Sequence, residues 1–153
     1  MQHPSEQAMQ QAIALARKNI EGGGRPFGAV LMRNDRVIAT GVNEIHLNGD
    51  PTAHAELLAL RQAGKDAQNP DLRGTVMYTS GHPCPMCMAA MHLAGVDHVY
   101  FAFGNDDGEA YGLSTDHIYE QMRKPPQEQS LPLDHFRPAN AENIYALWKD
   151  QTK

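Results

Sequence analysis

The sequence predicts an α/β fold: a three-layer α/β/α sandwich built on a central mixed five-stranded sheet. Three observations predict it. Helical and extended patterns alternate along the 153 residues in the order α-β-β-α-β-α-β-α-α. A two-residue turn joins the first two strands, while helices separate the strands that follow. No linker-like stretch divides the chain, so residues 1–153 read as one domain whose length suits a single core.

Each element has its own local signal. Ser5 is a good N-cap, and Met9, Ile13, Ala16 and Ile20 recur at helical spacing until Gly22-Gly23-Gly24 stops the run. Strands follow near 27–33 and 36–42, with Asn34-Asp35 as the turn between them. Asp50-Pro51-Thr52 opens a second helix through about Ala63, closed by Gly64. A short strand runs from Thr75 to Thr79. Cys84-Pro85 opens a third helix through about Leu93, closed by Gly95, and His98 to Phe103 form the next strand. Asp116 to Met122 read as helix, broken by Pro125-Pro126, and Leu131 to Phe136 as a fifth strand or extended segment. Asn140 caps a last helix, Ala141 to Lys149.

Composition narrows the function. Apolar residues make up 41% and charged residues 20%, a globular balance rather than a disordered one. No apolar run nears the ~18–20 residues that span a membrane, and the opening Met1 to Gln7 lacks a secretory pattern. The expected compartment is the cytoplasm, with no membrane partner. Net charge is −5 with histidine neutral, and Arg17-Lys18 and Arg123-Lys124 are isolated pairs. That weighs against a nucleic-acid partner, which needs clustered cations, and favours a small molecule.

The chemistry sits in two short motifs, His54-Ala55-Glu56 and Pro83-Cys84-Pro85-Met86-Cys87, each at a predicted helix start. Cys84 and Cys87 are three residues apart, so one helical turn can aim both sulfurs to the same side. Pro85 fits the first turn, and the helix N-terminus favours thiolates. His54, Cys84 and Cys87 supply three of the four nitrogen and sulfur ligands that Zn2+ prefers. A fourth position left to water makes the site catalytic, because bound zinc lowers the pKa of water to about 7. Glu56 is then the proton carrier. Histidine-x-glutamate followed by Pro-Cys-x-x-Cys is the signature of zinc base deaminases. Other readings stay open on the residues alone. The cysteines could form a redox pair, and His54 and Glu56 could be ordinary structural residues. His82 could close the metal sphere and leave an inert site.

The chain resembles the cytidine deaminase superfamily, the CMP/dCMP-type zinc deaminases. Asn43-Glu44 through Asp50-Pro51-Thr52-Ala53-His54-Ala55-Glu56 and Tyr78-Thr79-Ser80 through Pro83 to Cys87 are similar to both bacterial guanine deaminases and tRNA adenosine deaminases. Ile118-Tyr119 through Lys124-Pro125 to Leu131-Pro132 resembles the guanine branch. The resemblance implies one Zn2+ per subunit on His54, Cys84 and Cys87, with Glu56 shuttling protons. It implies substrate contacts from Asn43, which would bond the ring carbonyl, from Phe27, which would pack on the ring, and from Ala55. An acidic residue before the Ile-Tyr pair assists the departing amine in guanine deaminases, and Asp116 is the nearest match. The resemblance also implies a homodimer, with a C-terminal segment of about 115–153 exchanged or packed over the partner. Two features depart from the family pattern. His82 stands where a glutamate is usual, and Tyr145 and Trp148 are the last aromatics before the chain ends at Lys153.

The expected reaction is hydrolytic deamination of a nucleobase, guanine to xanthine plus ammonia. The alternatives are isocytosine, cytosine or guanosine as substrate, then a tRNA adenosine deaminase, then a non-catalytic zinc-stabilised binding module.

Overall fold

The structure is a computed structural model that describes residues 3–152, so Met1, Gln2 and Lys153 lie outside the described residues. The chain divides into two compact units, Met1–Glu120 and Gln121–Lys153.

The first unit carries the sheet. Its elements are α1 (Glu6–Glu21), β1 (Gly28–Arg33), β2 (Arg36–Val42), α2 (Ile45–Asn48), α3 (Ala55–Ala67), β3 (Thr75–Gly81), α4 (Pro85–Ala94), β4 (His98–Phe103) and α5 (Asn105–Gly108). A 3-10 turn at Glu109–Tyr111 follows, and then α6 (Asp116–Met122), whose last two residues belong to the second unit. The strand order is β2-β1-β3-β4, antiparallel at β1–β2 and β1–β3 and parallel at β3–β4. The sheet is mixed, as expected, but among the described residues it has four strands rather than five. Residues 131–136 form no strand: Pro132 cannot donate to a ladder, and Leu131, Leu133 and Phe136 stand exposed.

Side chains alternate across the sheet and build two cores. Ala29, Leu31 and Met77 face α3 and α4, where they meet Ala55, Ala59, Ala63, Cys87 and Met91. Val30 and Tyr78 face the opposite way, toward Ala8 and Ala12 of α1. This gives the three layers. The α1 helix starts as the sequence predicts, with the Ser5 hydroxyl accepting from the Ala8 N–H at 3.1 Å. Its buried face is the stripe Ala8, Ala12, Ala16, whereas Ile13 and Ile20 are 37% and 53% exposed. The cause is a close approach: a Cβ at Gly28 would land against the Ala12 carbonyl oxygen, so only small residues fit between α1 and β1.

Three boundaries move by three residues or more. The helix expected from Asp50 begins instead at Ala55. The Asp50 carboxylate accepts from both the Thr52 N–H at 2.9 Å and its hydroxyl at 2.7 Å, a local turn that competes with helix. That helix also runs through Gly64 and ends at Gln68, whose φ of 50° lies in the left-handed region. The last helix, α7 (Ile144–Gln151), is capped by Asn143 and not Asn140; the Asn143 side chain accepts from the Tyr145 and Ala146 N–H groups. Asn140 has φ 65° instead. In the second unit, α7 and a 3-10 turn at Pro126–Glu128 are the regular elements among the described residues. Among the described residues no helix is long and apolar enough to cross a membrane.

Candidate active site

Three chain reversals bring the sequence motifs together. The N-cap of α3 is His54, so His54 stands just before the helix and Glu56 lies in its first turn. The N-cap of α4 is Cys84, with Pro85 at the helix start and Cys87 inside the first turn. The third reversal follows β2. There Asn43 is held on both sides: its N–H donates to the Phe27 carbonyl at 3.2 Å, and its own carbonyl accepts from the Asn19 side chain at 2.8 Å. The loop from Glu44 closes on the Ala53 carbonyl at 2.9 Å, which delivers the chain to His54.

His54 Nδ1 lies 3.4 Å from Cys84 Sγ and 3.5 Å from Cys87 Sγ. Zinc bonds of about 2.3 Å to sulfur and about 2.0 Å to nitrogen, at tetrahedral angles, put a nitrogen and a sulfur ligand about 3.5 Å apart. The three side chains therefore fit one Zn2+ ion. Among the described residues they are the one such cluster of metal-ligand type. His82 does not join it. Its ring stacks on Phe101, with centroids 4.7 Å apart, and on Tyr119 at 5.4 Å. The arrangement of a closed, four-residue sphere is thus absent among the described residues.

Electrostatics around the cluster are uneven. Hydrogen bonding from the Cys87 thiol, and then from His54, draws the Cys84 thiol down to about 4. The same contact, with burial, pushes Cys87 up. His54 is raised, chiefly by its bond to Cys84. Glu56 is buried, and desolvation lifts its carboxyl above the ordinary 4.5. A carboxyl shifted upward by burial at the edge of a cavity is suited to passing protons.

The cavity beside the cluster has a volume of about 210 Å³. Phe27, Asn43, Ala55, Glu56 and His54 line it. The Asn43 Oδ1 accepts from the Ile45 N–H at 3.1 Å, which fixes the amide and leaves its NH2 as a donor for a ligand. Asp116 is not in the lining. It is exposed, and its carboxylate accepts from the Asn105 side chain at 3.1 Å. Sequence reasoning missed Arg25 and a wall made by Leu113, Ser114, Thr115 and His117. Glu56 is the one carboxylate in the lining. Asn105 braces that wall, since its Oδ1 accepts from the Thr115 N–H at 3.2 Å. The Thr115 hydroxyl itself is buried without a hydrogen-bond partner. The only sequence signal of this wall was a polar Gly-Leu-Ser-Thr cluster, which reads as an ordinary loop.

Comparison with known proteins follows the same motifs. Residues 2–103 match the family model described as the cytidine and deoxycytidylate deaminase zinc-binding region. The guanine deaminase of Bacillus subtilis (strain 168) is 34% identical over 152 residues, covering 95% of this chain and 97% of that protein. A solved X-ray structure of guanine deaminase from Bacillus subtilis superimposes with a TM-score of 0.88 at 33% identity, covering 98% of this chain and 95% of that one. A tRNA-specific adenosine deaminase of Buchnera aphidicola subsp. Schizaphis graminum is 35% identical over 99 residues, 65% of this chain and 66% of that protein. With the family's zinc-binding region matched across most of the chain and the ligand cluster assembled, the chain belongs to the cytidine and deoxycytidylate deaminase family of zinc-dependent hydrolytic deaminases.

Proposed function

We propose that the chain deaminates guanine: guanine and water give xanthine and ammonia. The observation that supports it most is the extent of the likeness to the Bacillus subtilis guanine deaminase. It runs over 95% of the chain, well past the zinc-binding region that ends at residue 103, and so includes the cavity wall. The cavity volume agrees. At about 210 Å³ it is below the ~300–1,000 Å³ of drug-sized sites and suits one small ring.

The roles follow from the residues. His54, Cys84 and Cys87 hold zinc, which when bound supplies Lewis-acid activation of water near neutral pH. Phe27 packs on the ring, Ala55 forms part of the cavity floor, and the Asn43 NH2 donates to a ring carbonyl. Such fixed polar pairing discriminates against bases that lack the partner atom. Glu56 takes a proton from the attacking water and delivers it to the ring nitrogen next to the reacting carbon. It then carries a proton to the departing amine as the C–N bond breaks, so that ammonia rather than amide leaves. Asp116, placed in the catalytic set by resemblance, is given no step in this reading: its Oδ1 accepts from Asn105, and it is not among the residues that line the cavity.

Residues 1–153 work as one deaminase domain, and the active species is a homodimer with the segment of about 115–153 exchanged or packed on the partner. The exposed Phe136, Tyr145 and Trp148 support this, since exposed apolar side chains of that size mark an interaction surface.

One observation favours a second substrate, a nucleoside such as guanosine. A further cavity of about 430 Å³ adjoins the first, sharing Phe27, His82 and Leu113 as walls, and carries the exposed Asp107 as a polar group for a sugar. Ammonia release from guanine, guanosine, cytosine, isocytosine, adenine and adenosine, with zinc-loaded protein, separates the readings. Turnover of guanine is expected, with little dependence on salt. Turnover of guanosine alone supports the second reading, and silence on both guanine compounds rejects the guanine assignment.

A further inference from the structure

The two cysteines are not held alike. Cys87 lies within the first turn of α4, where the helix sets its direction. Cys84 is the N-cap, with extended backbone at φ −72° and ψ 166°, so the loop before it must set where its sulfur points. That loop is tied at three places. The His82 N–H donates to the Phe103 carbonyl at 2.8 Å. The His82 ring lies in the stacks with Phe101 and Tyr119. The Tyr119 hydroxyl donates to the Pro83 carbonyl, in the peptide group that enters Cys84.

Tyr119 is itself well anchored. Its N–H and that of Ile118 donate to the Thr115 carbonyl, at 3.2 and 3.0 Å, at the start of α6. Thr115 and His117, within the same turn, line the base cavity. Burial and the neighbouring thiols hold the Tyr119 phenol up at about 12, so it stays a donor through the neutral range.

The structure assigns Tyr119 as a positioning residue for the metal centre: its hydroxyl, on the Pro83 carbonyl, fixes the peptide that aims Cys84. The inference rests on the reading of His54, Cys84 and Cys87 as zinc ligands. Groups that orient a ligand from outside the coordination sphere are worth roughly 10- to 100-fold in metal affinity. Tyr119 also joins the metal loop to the wall that the base touches, so the two halves of the site share one strut.

The test is zinc competition against a chromophoric chelator, together with the visible spectrum of the cobalt-substituted protein. It compares wild type, Tyr119→Phe, Phe101→Leu and Cys84→Ser. Tyr119→Phe keeps the ring and its stack and removes only the hydroxyl. It is expected to weaken zinc binding roughly 10-fold or more and to shift the cobalt bands, while the metal-free protein keeps its far-ultraviolet circular dichroism. Phe101→Leu loosens the stack but keeps the hydroxyl, and is expected to bind zinc within about threefold of wild type. Zinc affinity and a cobalt spectrum unchanged in Tyr119→Phe would overturn the inference. So would equal weakening in Phe101→Leu, or a Tyr119→Phe protein that does not fold, because either assigns the contact to the fold as a whole. Failure of wild type itself to bind zinc, or full affinity in Cys84→Ser, would instead overturn the ligand reading on which the inference rests.

Discussion

Glu56 shows what a buried carboxyl does to stability as well as to proton transfer. It is 6% exposed, and desolvation raises its pKa in the folded chain above 4.5. Below pH 4.5 both folded and unfolded chains are protonated there, and the group is neutral to stability. As pH rises, the unfolded chain ionises first, which favours unfolding. In the metal-free protein, Glu56→Gln is therefore expected to raise the melting temperature at pH 7, and the gain should vanish as pH falls below 4.5. A constant difference across that range would mean that ionisation is not its source. Thr115 poses the complementary case. Its buried hydroxyl has no partner, an arrangement that costs about 1–3 kcal/mol. Thr115→Val keeps the shape and removes the hydroxyl, so the ligand-free protein should gain about 1 kcal/mol, read as a higher urea midpoint at unchanged slope. A lower midpoint would show that the hydroxyl is bonded in solution.

At the scale of elements, the site depends on how closely α3 can approach β2. A Cβ at Gly41 would land against the Ala55 carbonyl oxygen and close to the Ala59 nitrogen. These are backbone atoms of the helix whose first turn carries Glu56, so they cannot move without moving the site. Gly41→Ala is expected to cost about 1–3 kcal/mol of stability and to lower turnover at full zinc loading. Normal turnover with a normal melting temperature would contradict that seating. Strand β4 and helix α6 were legible to the residue, because β-rich or helical runs there have clear ends. The start of α3 was not, because Asp50 satisfies Thr52 by a side-chain turn that looks like an N-cap in one dimension. The ligands were legible because their spacing is set by helical turns. The Thr115 wall was not, since it is made by Asn105 reaching ten residues along the chain to a loop without periodicity.

At the scale of the whole molecule, the second unit is what the sequence described least well. Its apolar side chains over residues 131–136 follow no period that names an element, and Phe136 is 88% and Trp148 64% exposed. Such residues gain stability by burial, here against a second copy in the homodimer proposed above. Sedimentation should give twice the chain mass of 16.9 kDa, and Phe136→Ser with Trp148→Ser should shift it toward the monomer. A wild-type monomer at micromolar concentration would contradict the dimer. The central claim is chemical: a zinc site completed by Glu56 as proton carrier. Its most direct measurement is ammonia release from guanine by wild type and Glu56→Gln at equal, measured zinc content. The predicted result is full zinc in both proteins, with turnover lowered by at least ~10²–10⁴-fold in the variant. Near-wild-type turnover in Glu56→Gln, or a loss that tracks lost zinc, would contradict the account.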